Sequence, residues 1–327
     1  MREAVPQGRP SAGTGTEPAS PLLIPHVGPQ EVAGVGSRTP GVRPVGPVPD
    51  GDYLIDLETG EMTPLPERII GTKDRTRSYA ASPDGSRLAY VGPGDDGSIF
   101  VANLNGGRAK QLTNGRGANS PTWSPDASRI AYIGRLGEAP DNVFVLDLAT
   151  GESTQLTFYA RSKRNLLAED AKPERQAGGP LSFSPDGSSI VYNVGRQAQI
   201  VRIAGGEKVR KWRPHRGPSV RLGAMADARL SPDGSQLSYG CLRAICLANA
   251  DGTNARVLVR VGIDALTSAS WSPDGTRIAS RPFHSLTVIV VDVATGDWTD
   301  VAPGDSPVWL DDHTLIVKHA TTACGPC

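Results

Sequence analysis

The chain carries no excess charge of either sign: 34 basic residues balance 34 acidic ones over 327 positions. That balance excludes the whole-surface attraction that draws basic proteins to nucleic acid or to an anionic membrane. Long apolar runs are also missing, none approaching the roughly 18 residues that a membrane-spanning helix requires. The opening Met1-Arg2-Glu3-Ala4-Val5-Pro6 lacks the charged-then-apolar pattern of a secretory leader, which points to a cytoplasmic protein or to a leader already removed. Aromatic residues are few, with 5 Trp, 7 Tyr and 5 Phe. No Gly-x-Ser-x-Gly elbow with Asp and His downstream occurs, which excludes a serine hydrolase of the α/β type. The five histidines include no pair four apart that would share a helix face as metal ligands.

What the chain has in abundance is Gly (38) and Pro (28), the composition of many short strands joined by turns. The recurring unit is Ser-Pro-Asp-Gly, at Ser82–Gly85, Ser184–Gly187, Ser231–Gly234 and Ser272–Gly275, with a near copy in Ser124-Pro125-Asp126-Ala127. Pro fixes φ at the second corner of a type I turn, Ser and Asp suit the corners beside it, and Gly takes the left-handed conformation that sends the next strand back. Ala127 would hold that conformation at a cost of about 1–2 kcal/mol, so a distorted turn is expected there. A second strand–turn–strand signal stands around Thr59-Gly60, Thr150-Gly151-Glu152 and Thr295-Gly296-Asp297.

Successive Ser-Pro-Asp turns begin 42, 60, 47 and 41 residues apart. A repeat near 40 residues that holds four strands, in the order a, Ser-Pro-Asp turn, b, loop, c, Gly turn, d, is a β-propeller blade. The longer steps imply insertions of about 19 and about six residues. Val308–Val317 supplies strands a and b of a sixth unit with no c and d after it, while residues 52–65 are a c–d pair without its a and b. Joining them closes the ring with strands from both ends of the sequence and leaves no open sheet edge. The expected organisation is therefore a Pro/Gly-rich disordered segment over 1–50, a single all-β domain over 51–320 and a flexible Cys-containing tail over 321–327. The domain is a six-bladed β-propeller of four-stranded antiparallel blades. The first segment holds ten Pro and eight Gly without periodicity, too little apolar surface to offset the entropy of ordering.

Trp271-Ser272-Pro273-Asp274-Gly275-Thr276-Arg277-Ile278-Ala279 and Asp147-Leu148-Ala149-Thr150-Gly151-Glu152 resemble the WD-like repeats of the TolB family of six-bladed propellers. The resemblance extends over roughly residues 52–318. It implies the propeller fold, and a binding platform of the cell envelope or a propeller attached to a prolyl-oligopeptidase-like hydrolase. It also implies an extracytoplasmic location, against the cytoplasmic reading of the opening residues. TolB carries an additional N-terminal α/β domain, for which the Pro/Gly-rich head is too short, so TolB's partners are not carried over.

Four constellations could carry chemistry. Asp311-Asp312-His313, with His319 six further on, has the residue types of a metal site, but the acids stand where Pro-Asp stands in the other blades and so serve turn geometry. Asp95-Asp96-Gly97-Ser98 and Asp251-Gly252-Thr253-Asn254 lack the further ligands of a calcium loop and read as turns. Cys241 and Cys246 flank a b–c hairpin; with Arg243-Ala244 as its turn they face each other, and a disulfide or two buried free thiols both satisfy the pattern. Cys324-Gly325-Pro326-Cys327 spells a thioredoxin-type tetrapeptide without the helix that would activate its first thiol.

The insertions are the most informative polar features. In a blade, the d–a and b–c connections share one face of the ring. The d–a insertion over 158–180 carries Arg161 and Arg164 among mixed charges. The next, over 208–222, has Arg210, Arg213, Trp212 and His215 in a basic stretch without acids. Neighbouring blades would set the two side by side at the mouth of the channel, where long loops on a rigid scaffold place binding. The expected function is a non-enzymatic protein- or ligand-binding scaffold that meets a protein, an anionic peptide or a small anion through Arg161, Arg164, Arg210, Arg213 and His215, with Trp212 as an aromatic anchor. No cofactor, nucleic acid or membrane span is expected, and the chain should be a monomer. The alternative is a metal-dependent, lactonase-like small-molecule hydrolase with its site in the channel.

Overall fold

The structure, a computed structural model, describes residues 36–41, 44–49, 51–66, 78–92, 97–115, 117–137, 139–159, 177–194, 197–203, 226–241, 244–250, 253–260, 266–282 and 285–318. These residues form 23 strands and no helix. β1 (Tyr53–Asp56) and β2 (Met62–Pro64) come first. Blade 1 follows as β3 (Tyr79–Ala81), β4 (Arg87–Val91), β5 (Ile99–Asn103) and β6 (Lys110–Gln111), and blade 2 as β7 (Asn119–Trp123), β8 (Arg129–Gly134), β9 (Asn142–Asp147) and β10 (Ser153–Gln155). Blade 3 is described as three strands, β11 (Gly178–Phe183), β12 (Ser189–Val194) and β13 (Gln197–Arg202). Blade 4 comprises β14 (Ala226–Leu230), β15 (Gln236–Cys241), β16 (Ala244–Asn249) and β17 (Arg256–Arg260). Blade 5 comprises β18 (Leu266–Trp271), β19 (Arg277–Pro282), β20 (Thr287–Asp292) and β21 (Trp298–Pro303), and β22 (Asp305–Trp309) and β23 (Thr314–Lys318) end the chain.

Each sheet is an antiparallel meander, and the sixth has the order β2-β1-β23-β22. Tyr53, Leu54, Ile55 and Asp56 pair with Val317, Ile316, Leu315 and Thr314, so strands from the two ends of the sequence close the ring. The innermost strands touch in the order β3, β7, β11, β14, β18, β22 and back to β3. The fold is a six-bladed β-propeller.

The turns hold their shape through one repeated set of hydrogen bonds. In Ser272–Gly275 the Gly275 amide donates to the Ser272 carbonyl at 2.9 Å, the Ser272 hydroxyl donates to the Asp274 carboxylate, and the Arg277 amide donates to the Ser272 hydroxyl. Gly275 sits at φ +72°, and Gly85, Gly187 and Gly234 lie within a few degrees of it. The expectation of a distorted turn at Ala127 is corrected. Ala127 stands at φ +55° with the same bonds, its amide to the Ser124 carbonyl at 2.9 Å and the Arg129 amide to the Ser124 hydroxyl at 2.9 Å. Seven hydrogen bonds among Ser124, Asp126, Ala127, Ser128 and Arg129 hold the loop, so the alanine takes the strain and the turn keeps its form. The Thr-Gly turns are likewise alike: Asp56, Asp147 and Asp292 each accept from the amide and hydroxyl of the Thr three residues on.

Blades are joined by six apolar clusters, each shared by two neighbours. A polar latch is added at three junctions. The indole N–H of Trp123 donates to Ala80, that of Trp271 to Arg229 and that of Trp309 to Ser270, each a carbonyl on the inner strand of the preceding blade. The arginine that opens strand b stacks on the next blade's aromatic: Arg87 on Trp123, Arg129 on Phe183 and Arg277 on Trp309, at 4.6, 5.7 and 5.0 Å. Ser189, Gln236 and Thr314 open strand b in the other three blades, opposite Leu230, Trp271 and Ala81.

Residues 36–41 and 44–49, upstream of the expected boundary at residue 51, lie against the ring. Arg38 makes a parallel bridge to Trp298 of β21, and Val45 makes one to Glu61 beside β2. Residues 36–49 thus contact the ring upstream of the expected boundary through backbone bonds to sheet edges, which need no apolar period.

Candidate binding face and channel

The antiparallel order places the described Ser-Pro-Asp and Thr-Gly turns at one rim of the ring and the strand ends that lead into the b–c and d–a connections at the other. The two inserted connections lead directly into β11 and β14, both inner strands. Between the inner strands runs a cavity of about 570 Å³. Ser78, Ser120 and Gly179 line its inserted-loop end, and Pro83, Pro125, Pro185, Pro232 and Pro273 of the turns line the other.

The residue just before the inner-strand aromatic points the same way in every blade. The six equivalents are Ala80, Thr122, Ser182, Arg229, Ser270 and Val308, all on the cavity wall. Arg229 is the charged member of that set and the charged side chain among the described cavity-lining residues. It was missed in the sequence because no motif contains it; aligning the six repeats at the aromatic exposes it. Just outside these positions the inner strands bulge against strand b in five blades. Ser120, Gly179 and Ser306 occupy such bulges at φ +51°, +72° and +46°, each followed by Pro. Bulges of this kind re-aim side chains at the rim of a barrel or ring.

The sequence-predicted binding residues Arg161, Arg164, Arg210, Trp212, Arg213 and His215 lie outside the described residues. Their anchoring ends do not. Tyr159, at the entrance to the first insertion, shares hydrogen bonds with the Tyr192 hydroxyl at 3.0 Å and the Gln199 side-chain oxygen at 3.1 Å, tying the loop base to blade 3. Phe158 beside it is 53% exposed, and Leu136, on the b–c connection of blade 2, is 43% exposed. The same rim holds Arg281 Nε 2.8 Å from Asp305. Burial works against the Asp305 charge, yet the Arg281 guanidinium beside it holds the carboxyl below its usual range.

Cys241 and Cys246 form a disulfide with Cα atoms 5.9 Å apart. The expected register is corrected: Cys241 faces Ala244 and Cys246 faces Tyr239, so the cysteines are diagonal neighbours on one face rather than a directly opposed pair. The paired strands run to Cys241 and resume at Ala244, one residue earlier than expected, with Cys246 fully buried in the blade and Cys241 half-buried. Asp311 accepts from the His313 and Thr314 amides, both at 2.8 Å. Asp312 accepts from the Asp274 amide at 2.9 Å, and His313 Nδ1 lies 3.0 Å from Glu58. The Asp312 contact fastens the closing blade to blade 5, while those of Asp311 and His313 lie within the closing blade. Among the described residues no three of His, Cys, Asp or Glu come together as metal ligands would. His319, Asp95, Asp96, Asp251, Gly252, Cys324 and Cys327 lie outside the described residues.

The geometry defines a class: six-bladed propellers with a cavity between the inner strands. Within that class the chain is similar in fold to TolB. The putative TolB from Agrobacterium tumefaciens is 16% identical, with a TM-score of 0.60 over 85% of this chain and 100% of that one. TolB from Acinetobacter baumannii is also 16% identical, with a TM-score of 0.56 over 80% of this chain and 66% of that one. An oligogalacturonate lyase from Vibrio parahaemolyticus is 18% identical, with a TM-score of 0.51 over 87% and 81% of the two chains. The chain thus spans about two thirds of the Acinetobacter TolB. No family model and no curated protein matches.

Proposed function

We propose that the chain is a non-enzymatic binding scaffold that takes up an acidic peptide or other anionic group at the inserted-loop end of its channel. The observation that carries this reading is the placement of Arg229. It lines the axial cavity on β14, the strand into which the basic 208–222 insertion leads. A carboxylate or phosphate entering from that face would reach a guanidinium within a partly enclosed cavity, where a charge pair is screened less than at the surface, and Arg210 and Arg213 would add positive charge to the insertion that precedes β14. The hydroxyls of Thr122, Ser182 and Ser270, at the equivalent positions, supply further hydrogen-bond donors. Exposed Phe158 and Leu136 would add apolar contact at the rim. The similarity in fold to TolB proteins is compatible with a binding role and does not specify it.

The Cys241–Cys246 disulfide supports an oxidising, extracytoplasmic location, where such bonds persist. The test of function is capture of partners by the immobilised chain, beside a variant with Arg210 and Arg213 reversed to Glu and a second with R229E. Capture by the unaltered chain that both variants lose by about tenfold or more supports the anion-binding face. Capture unchanged in both excludes it.

A further inference from the structure

The outer edge of blade 5 is occupied by a short piece of the chain itself, and the fit is specific at every position. Gly36 lies on the backbone of Gly296 so closely that a Cβ there would stand 1.9 Å from the Gly296 carbonyl carbon. The Ser37 amide and hydroxyl both donate to the Asp297 carboxylate, at 2.7 and 3.0 Å. The Trp298 amide donates to the Ser37 carbonyl at 3.0 Å and the Thr39 amide to the Trp298 carbonyl at 2.8 Å, the pattern of a strand added in parallel to β21. Arg38 pairs with Asp300 and lies over the Trp298 ring at 5.6 Å. At Gly41 a Cβ would be 2.6 Å from the Asp300 carbonyl oxygen. Together these contacts read an extended Gly-Ser-Arg-Thr-Pro-Gly segment: no side chain at either end, a donor for Asp297, a guanidinium for Asp300 and Trp298.

Nothing in these contacts requires that the segment belong to the same chain. It continues into residues 44–49, which hold to the ring through the Val45 amide with the Gly60 carbonyl at 2.8 Å and through Val48 packed against the apolar cluster of blade 5 and the closing blade, while Val45 itself is 64% exposed. A strand edge read through main-chain bonds plus a few side-chain contacts is a peptide-docking mode in its own right. We infer that the β21 edge is a docking site for an extended partner segment of Gly-Ser-Arg-Thr-Pro-Gly chemistry, held closed in this structure by the chain's own copy. The site is separate from the channel and stands whether or not the channel binds anions. An intramolecular segment competes at an effective concentration of about the millimolar range, so a partner displaces it only when the arm is weakened or the partner adds contacts elsewhere.

The test uses the full chain and a fluorescent peptide of residues 36–49. In a G36V/G41V variant the added side chains collide with β21 backbone and eject the arm, while the edge stays intact. The R38E variant weakens the arm without added bulk, and R38E/D300R restores a charge pair of reversed sense. Hydrogen exchange reports whether the Thr39 amide remains protected. The expected result is loss of that protection in G36V/G41V and R38E and its return in R38E/D300R. Both weakened variants should then bind the peptide roughly 100-fold more tightly than the unaltered chain does, and a scrambled peptide should not bind. Three results would overturn the inference: an arm that stays protected in G36V/G41V, a released arm with no gain in peptide binding, or equal binding of the scrambled peptide.

Discussion

At the residue scale, the Ser-Pro-Asp turns concentrate both strain and charge. Ala127 adopts a left-handed conformation that four of its five counterparts assign to Gly and that the fifth, in the closing blade, avoids with a shorter turn. Relief of that conformation is worth about 1–2 kcal/mol, offset by the greater freedom of Gly when unfolded. A127G should therefore stabilise the chain by roughly 0.5–1 kcal/mol in denaturant unfolding; an unchanged or lower midpoint would show that the turn carries no such strain. The Asp residues of these turns respond to acid. Hydrogen bonds from the hydroxyls of Ser82, Ser124 and Ser184 hold the Asp84, Asp126 and Asp186 carboxyls down to about 2. A carboxyl depressed in the folded state favours folding above its unfolded value near 4, and the contribution is lost as pH falls toward 2. The melting temperature should thus fall between about pH 4 and about pH 2, and in D186N that fall should be shallower. A D186N profile parallel to that of the unaltered chain would count against the linkage.

At the scale of elements, blades are held to one another by shared apolar clusters and, at particular junctions, by indole latches and stacked arginines. The Trp309 N–H reaches the Ser270 carbonyl at 2.9 Å in a buried junction, and Arg277 lies over the same ring. Trp309→Phe would leave the carbonyl without that donor and reduce the stacking surface, a loss of about 1–3 kcal/mol measurable by urea unfolding. No loss would mean that the apolar clusters alone set the junction. Element order was legible in the sequence because the turn chemistry recurs with a fixed strand count between copies. The register of the Cys241–Cys246 hairpin was not, since a two-residue connection can be placed one position either way and only packing of Cys246 into the blade selects Leu242-Arg243. The contacts of residues 36–41 were likewise hidden, as they depend on an edge formed by β21 more than 250 residues away.

At the scale of the whole molecule, closure of the ring by β1 and β23 was foreseen from two incomplete repeats that complete one another. The candidate site was less legible. A channel site draws single residues from different blades, so Arg229 stands out only when the six inner strands are compared position by position. The basic insertions were visible as charge runs, and they enter the ring at the two inner strands adjoining that arginine. The central claim is that partners engage the inserted-loop face. It is tested most directly by a photo-crosslinking residue in place of Leu136, exposed on that rim, and separately in place of Thr150, exposed in a Thr-Gly turn at the opposite rim. Covalent capture of an acidic partner is expected from position 136 and none from position 150; capture from 150 alone would place binding on the opposite rim.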